Sequence, residues 1–308
     1  MPSVIVVLLK RLGWMALTLW AVFTISWILM RVVPGGPFDA EKKVPEETKR
    51  NIEARYRMDL PFWQQYARDL GFALRLDFGL SLRLKDYTVN QVIEQGFPVS
   101  VSLGIFALTF ALTLGLVAGV LSAVSRNSIY DIGFMTLATL GIAVPNFVLA
   151  GIAIIIFVFW LNIFPAAGWG KLNQIILPAL CVGAPYAAYI ARLTRAGMLE
   201  VLNLDYVRTA YSKGLMTRTV IVRHALRGAI LPVVTYLGPA TAGILTGSLV
   251  VERIFNVPGM ASHFIEAALS RDYPLALGMV LVYTVILLLM NALVDLSYSV
   301  IDPRVKVG

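Results

Sequence analysis

From Leu12 to Met30 the chain runs nineteen residues without a charged side chain. In lipid every backbone N–H and C=O must be satisfied within the protein, which leaves only helices and closed barrels as spanning structures. At 1.5 Å per residue a helix of that length covers about 29 Å, the depth of a hydrocarbon core. A secretory signal is the rival reading, but its apolar region is about 7–15 residues long and precedes a small-residue cleavage site. Here the run is longer and ends in Arg31-Val32-Val33-Pro34-Gly35-Gly36-Pro37, so it reads as a retained helix.

Five further apolar runs follow. They are Val99–Val124, Ile132–Phe164, Ile175–Leu193, Gly228–Val251 and Leu275–Val294. Pro145-Asn146 breaks the long second of these, which predicts one span bent at the proline. Pro178 and Pro185 predict interruptions of the next. Gly115 with Gly119, and Gly243 with Gly247, are small-residue pairs of the kind that lets helices approach closely. Only 14% of residues are charged, against about 25% in soluble domains. The expected fold is therefore an all-α polytopic membrane protein with six transmembrane helices.

The net charge of +8 is placed by topology, so no nucleic-acid partner is inferred. Lys10, Arg11, Arg126, Arg304 and Lys306 fall on one side, as does the segment Arg192–Arg227 with its net charge of +5. The short loops opposite carry only Lys171, Arg253 and Arg271. By the positive-inside rule both termini are cytoplasmic. Residues 38–97, with ten basic and ten acidic side chains, then form an outward-facing insert of two or three short helices. Tyr56, Phe62, Trp63, Tyr66, Phe72 and Phe78 are its candidate core. The domain division is a first helix (1–33), a periplasmic insert (34–98), and a five-helix core (99–308) whose cytoplasmic loop covers 194–228. Glu252–Pro274 reads as a polar loop with a short helix near Ser262–Leu269.

Within the basic segment, Leu204, Val207, Tyr211 and Leu215 recur at three- and four-residue steps, which places them on one helical stripe, with Asp205, Arg208 and Ser212 facing away. Gly214 offers a turn, and Thr217 is a candidate cap for a second helix, Arg218–Arg227. From pattern alone, a docking knob and an amphipathic helix resting on headgroups weigh equally. The run Asp205-Tyr206-Val207-Arg208-Thr209-Ala210 … Lys213-Gly214-Leu215 … Arg223-His224-Ala225-Leu226 … Leu231-Pro232 resembles the coupling loop of ABC-importer permeases, in its peptide-importer branch. Ala210 and Gly214 match the A-x-x-x-G of that loop and Leu231-Pro232 its closing L-P. Arg208-Thr209 replaces the Glu-Ala of the general motif, and the spacer from Gly214 to Pro232 is longer. Leu76-Asp77-Phe78-Gly79-Leu80-Ser81, Phe97-Pro98-Val99-Ser100, Pro258-Gly259-Met260 and Ile301-Asp302-Pro303 extend the resemblance, which is closest to the oligopeptide permease B-subunit.

That resemblance implies a type I ABC importer permease fold with a cytoplasmic coupling helix in the bacterial inner membrane. It implies a second permease subunit, two cytoplasmic ATPase subunits that hold the ATP and Mg²⁺, and a periplasmic peptide-binding protein. ATPase coupling is then expected at Asp205, Tyr206, Arg208, Thr209, Ala210, Tyr211, Lys213, Gly214 and Leu215. The cargo is an oligopeptide, or for related importers a dipeptide, glutathione, a murein peptide or a nickel complex. This chain itself carries no G-x-x-x-x-G-K-[ST] phosphate loop, no metal cluster and no catalytic set. Its cofactor expectation is none, and it is not expected to be an enzyme. The spans read as free of buried carboxylates, which argues against a self-powered secondary transporter. Asn146, Thr235, Thr241, Thr246 and Ser248 are candidate pathway-lining groups. Alternatively, Asn146 is a satisfied amide beside the kink and the hydroxyls bond back to their own helices.

Overall fold

The computed structural model describes residues 4–33, 60–84, 86–247 and 249–301. Residues 34–59 of the insert, including Tyr56, lie outside these, as do Lys85, Ser248 and the tail from Asp302.

The described chain is helical, and it divides into two compact units. The first comprises residues up to Val99 together with Pro258–Leu288; the second comprises Ser100–Val257 and the chain from Leu289. In the first unit, α1 (Val4–Val32) is joined to α2 (Phe62–Leu74) by polar bonds at its end. Trp27 donates Nε1–H to Asp69 Oδ2 at 2.9 Å, and Arg31 reaches the same oxygen at 3.0 Å while stacking over the Trp27 ring. Tyr66 meets Phe23 and Trp27 edge-on. The expected separate core of the insert is not found among the described residues. No residue of α2 is buried, and Tyr66 and Phe78 pack instead around Phe23, Trp27, Leu277 and Leu281. One short amphipathic helix has too little apolar area to hold a core of its own, so it borrows the flank of a span.

α3 (Val89–Val124) begins ten residues before its expected start and carries Pro98 inside. It runs from the first unit into the second. In the second unit α4 (Ile129–Ala143) gives way at Val144-Pro145 to α5 (Asn146–Ala153), continued by a wider π-helical stretch, Ile154–Trp160. The two halves meet at 113°. The single bent span read from sequence is thus a sharp break, because the residue before a proline is forced out of the helical region; Val144 has ψ 125°. Among the described residues, five helices are long and apolar enough to cross a membrane, or six if this broken pair is one crossing.

α6 (Leu172–Val201) is thirty residues long and unbroken, with Pro178 and Pro185 inside it. The expected interruptions are absent, since neighbouring helices let a span keep a proline without ending there. α6 is the hub of the second unit, and small residues bring its neighbours close. A Cβ on Gly115 of α3 would lie 2.7 Å from the Ala187 carbonyl oxygen, and one on Gly119 would lie 2.5 Å from Thr194 Cβ. Gly183 meets the Ala107 carbonyl in the same way, and Gly197 meets Ala229. Ala138 of α4 packs on Ala188 and Ala191.

Beyond α6 come α7 (Asp205–Ser212), α8 (Thr217–Thr219), a π-helical turn Val220–Ala225, α9 (Leu226–Ala229), α10 (Leu231–Gly247) and α11 (Leu249–Ile254). α12 (Met260–Ser270) and α13 (Tyr273–Ile301) follow, α13 as far as Leu288 belonging to the first unit. There Asp272, fully buried, accepts from Ser81 Oγ and from the Leu82 and Arg83 amides. Its other oxygen accepts from Leu275 N at 3.2 Å, so one carboxylate both caps α13 and pins the Ser81–Arg83 loop.

Candidate functional site

α7 is a stub of eight residues, far too short to hold its shape alone in water. Two devices fix it. Its inner face is Val207, with no exposed surface, and Ala210, which join Ala123, Met198, Val201, Val220, Ala225 and Ala229 in one apolar cluster. Its end is closed by a left-handed glycine: Gly214 has φ +76°, Gly214 N–H donates to the Tyr211 carbonyl at 2.9 Å, and Leu215 N–H donates to the Ala210 carbonyl at 3.3 Å. That pair of bonds is the Schellman arrangement, which satisfies carbonyls the helix would otherwise leave open.

The outer face is bare. Asp205, Arg208, Thr209, Ser212 and Lys213 are exposed, and so are Leu204, Tyr206, Tyr211, Leu215 and Met216, the last 79% so. The expected apolar stripe is therefore only partly the packed face. Val207 is buried, but Leu204, Tyr211 and Leu215 are not. Val207 and Ala210 are the stub residues that enter the apolar cluster formed with Met198 and Val201 of α6 and with Val220 and Ala225 beyond it. The second helix opens at Thr217, one residue before the expected start, and Met216 stands at its cap with no side-chain bond. Thr209 and Ser212 bond back to the carbonyls of Asp205 and Arg208. Asp205 and Arg208 approach at 3.8 Å, but both are so exposed that the pair adds little. What remains is a rigid, aromatic and basic protrusion from the end of a span, a shape suited to a cleft in another protein.

The described pathway candidates lie on two helices, Asn146 on α5 and the threonines on α10. Thr235 and Thr241 both lie on α10 and both bond back to carbonyls one turn earlier, Leu231 and Leu237. Six residues apart, they point roughly 120° from one another around the helix. Thr235 is exposed and Thr241 half-buried, while Asn146 is half-buried at the opening of α5. The side chains of Thr246 and Ser248 lie outside the described residues.

The spans do hold buried carboxylates, contrary to the sequence reading. Glu252, with no exposed surface, lies in α11 rather than in a loop and accepts from Ser100 Oγ at 2.9 Å. Asp131, in the first turn of α4, is 4% exposed. It pairs with Arg195 of α6, Nε to Oδ1 and Nη2 to Oδ2, each at 2.8 Å. Both acids sit within a few residues of a turn, so their sequence neighbourhood resembles a loop. Their partners, 152 and 64 residues away, leave no local trace.

The family of binding-protein-dependent transport system inner membrane components matches residues 115–307. The dipeptide transport permease DppB of Bacillus subtilis is 45% identical over 97% of both chains. The chain belongs to this family. The oligopeptide transport permeases OppB of Haemophilus influenzae and Escherichia coli K12 are each 43% identical, over 96% and 94% of this permease and 98% and 95% of theirs. Among solved structures, the MetNI methionine ABC transporter shares the fold at a TM-score of 0.54 and 16% identity, over 69% of this permease and 97% of that chain. An amino acid ABC transporter does so at 0.52 and 17%, over 68% and 93%. The permease is accordingly a multi-pass inner-membrane component of an ABC importer, and the helical architecture read from the sequence holds.

Proposed function

We propose that this permease forms half of the translocation pathway of an ATP-driven peptide importer and is driven through α7. Relatives named for dipeptide and for oligopeptide transport are similar to it at nearly equal identity, which supports a peptide cargo without fixing its length. The observation that carries the coupling role is the build of α7: anchored by Val207 and Ala210, closed by Gly214, and bare on its outer face. The charge bias of the loops supports a cytoplasmic position for α7 and both termini. There a pair of ATPase subunits, which bind and hydrolyse ATP, receives it in a cleft. When the pair closes on ATP, α7 moves as a rigid body with the end of α6, and the attached spans tilt to switch access from outside to inside. A second permease subunit completes the pathway, a periplasmic binding protein delivers the cargo, and exposed Thr235 of α10 is a candidate cargo-facing group.

Two substitutions test this. Gly214→Pro demands φ near −65° where the backbone holds +76°, and it removes the amide that closes the helix. Ala210→Trp lifts α7 off the apolar cluster. Both proteins reach the membrane in normal amount and neither supports ATP-driven peptide uptake. Normal uptake by either variant overturns the docking role.

A further inference from the structure

Asp131 is held more completely than a passive surface carboxylate needs to be. Oδ1 accepts from Arg195 Nε and from Ser122 Oγ; Oδ2 accepts from Arg195 Nη2 and from the Asn127 amide at 2.9 Å. Asn127 adopts a left-handed φ of 64°, which turns that amide toward the carboxylate. Three elements thus meet on one side chain: the end of α3 through Ser122, the start of α4 through Asp131 itself, and α6 through Arg195. One helical turn before Arg195, Arg192 donates to Thr139 Oγ1 of α4 at 2.8 Å, a second tie in the same direction. The same end of α6 carries Met198 and Val201, on which α7 rests, together with Ala123 at the end of α3.

Asp131 is buried but the Arg195 side chain is 27% exposed, and ion pairs open to solvent add little, so stability alone is a weak reason for this one. A bidentate guanidinium–carboxylate pair does something apolar contact does not: it fixes the relative orientation of two helices as well as their distance. We propose that the Asp131–Arg195 pair is a transmission clamp that makes α6, α4 and the end of α3 move as one body with α7. Asp131 and Arg195 are positioning residues in this account. Neither touches cargo or nucleotide. The proposal rests on the importer reading above.

The test uses the assembled importer in proteoliposomes and reads two rates on one preparation, peptide taken up and ATP hydrolysed. In Asp131→Asn, and in Arg195→Lys, which keeps the charge but loses the fork, peptide taken up per ATP falls severalfold while hydrolysis per assembled complex stays near the parent's. An unchanged ratio overturns the clamp. A purely structural defect lowers both rates together with the amount of complex and leaves the ratio alone, so it too counts against the proposal. A second measurement stands if Asp131→Asn does not assemble. Cys181, the one native cysteine, is buried, so a short maleimide bridge between Thr139→Cys and Arg192→Cys locks α4 to α6 specifically. Transport that survives the lock supports movement as one body; transport stopped by the lock, with assembly intact, contradicts it. Unaltered complex that takes up no peptide with ATP sinks the importer reading itself, an outcome separate from an unchanged ratio in an active importer.

Discussion

At the scale of single residues, the glycines on the flank of α6 decide whether the second unit closes. Gly119 has no room: an added Cβ lies 2.5 Å from Thr194 Cβ and 2.6 Å from the Ala191 carbonyl oxygen. Gly119→Val therefore forces α3 and α6 apart, at a cost of about 1–3 kcal/mol. It is expected to lower the thermal midpoint of the detergent-solubilised protein, whereas Gly133→Ala, where nothing lies within 4 Å, is not; equal midpoints for the two would contradict the close-approach account. The spacing of Gly115 and Gly119 was legible in the sequence. Their partner was not, because a small-residue pair fits any smooth helix face. Asp131 shows the opposite failing. Its residue type was plain, but burial is set by Arg195 sixty-four positions away, and nothing near Asp131 in the chain announces it.

At the scale of elements, the apolar runs fixed where helices lie better than how they end. Prolines were an uneven guide to breaks. Pro98, Pro178 and Pro185 sit inside continuous helices, while Pro145 marks a break of 113°. A proline removes one bond and tilts the axis wherever it falls; whether the helix resumes on the same line depends on the helices packed beside it. α7 was legible as a short helix ended by Gly214, since an isolated glycine after an amphipathic turn is a local signal. Which of its apolar residues pack was not, because the partners come from three separate segments, at Ala123, at Met198 and Val201, and at Val220–Ala229. The exposure of Met216 and of Trp63 on α2 gives a direct check of orientation. In intact cells a membrane-impermeant thiol reagent labels Trp63→Cys and spares Met216→Cys; in inverted vesicles the pattern reverses. Labelling of both from one side contradicts the topology inferred from charge.

At the scale of the whole molecule, the unit that carries α7 is the second, a set of helices around the long hub α6 with α7 at its end. Apolar clusters and close glycine contacts hold the second unit together around α6, and α7 is continuous with α6 through Met198 and Val201. On the coupling role proposed above, work done on α7 has a short route into the spans. The most direct measurement of this is a crosslink from the outer face of α7 itself. Ser212→Cys is exposed and sits in the last turn of the stub, and a thiol-specific photo-crosslinker attached there in membranes containing the full importer is predicted to join this permease to an ATPase subunit, with a yield that changes when ATP is added. Reaction of Ser212→Cys with lipid alone, in membranes where the ATPase subunits are present and active, would contradict the account.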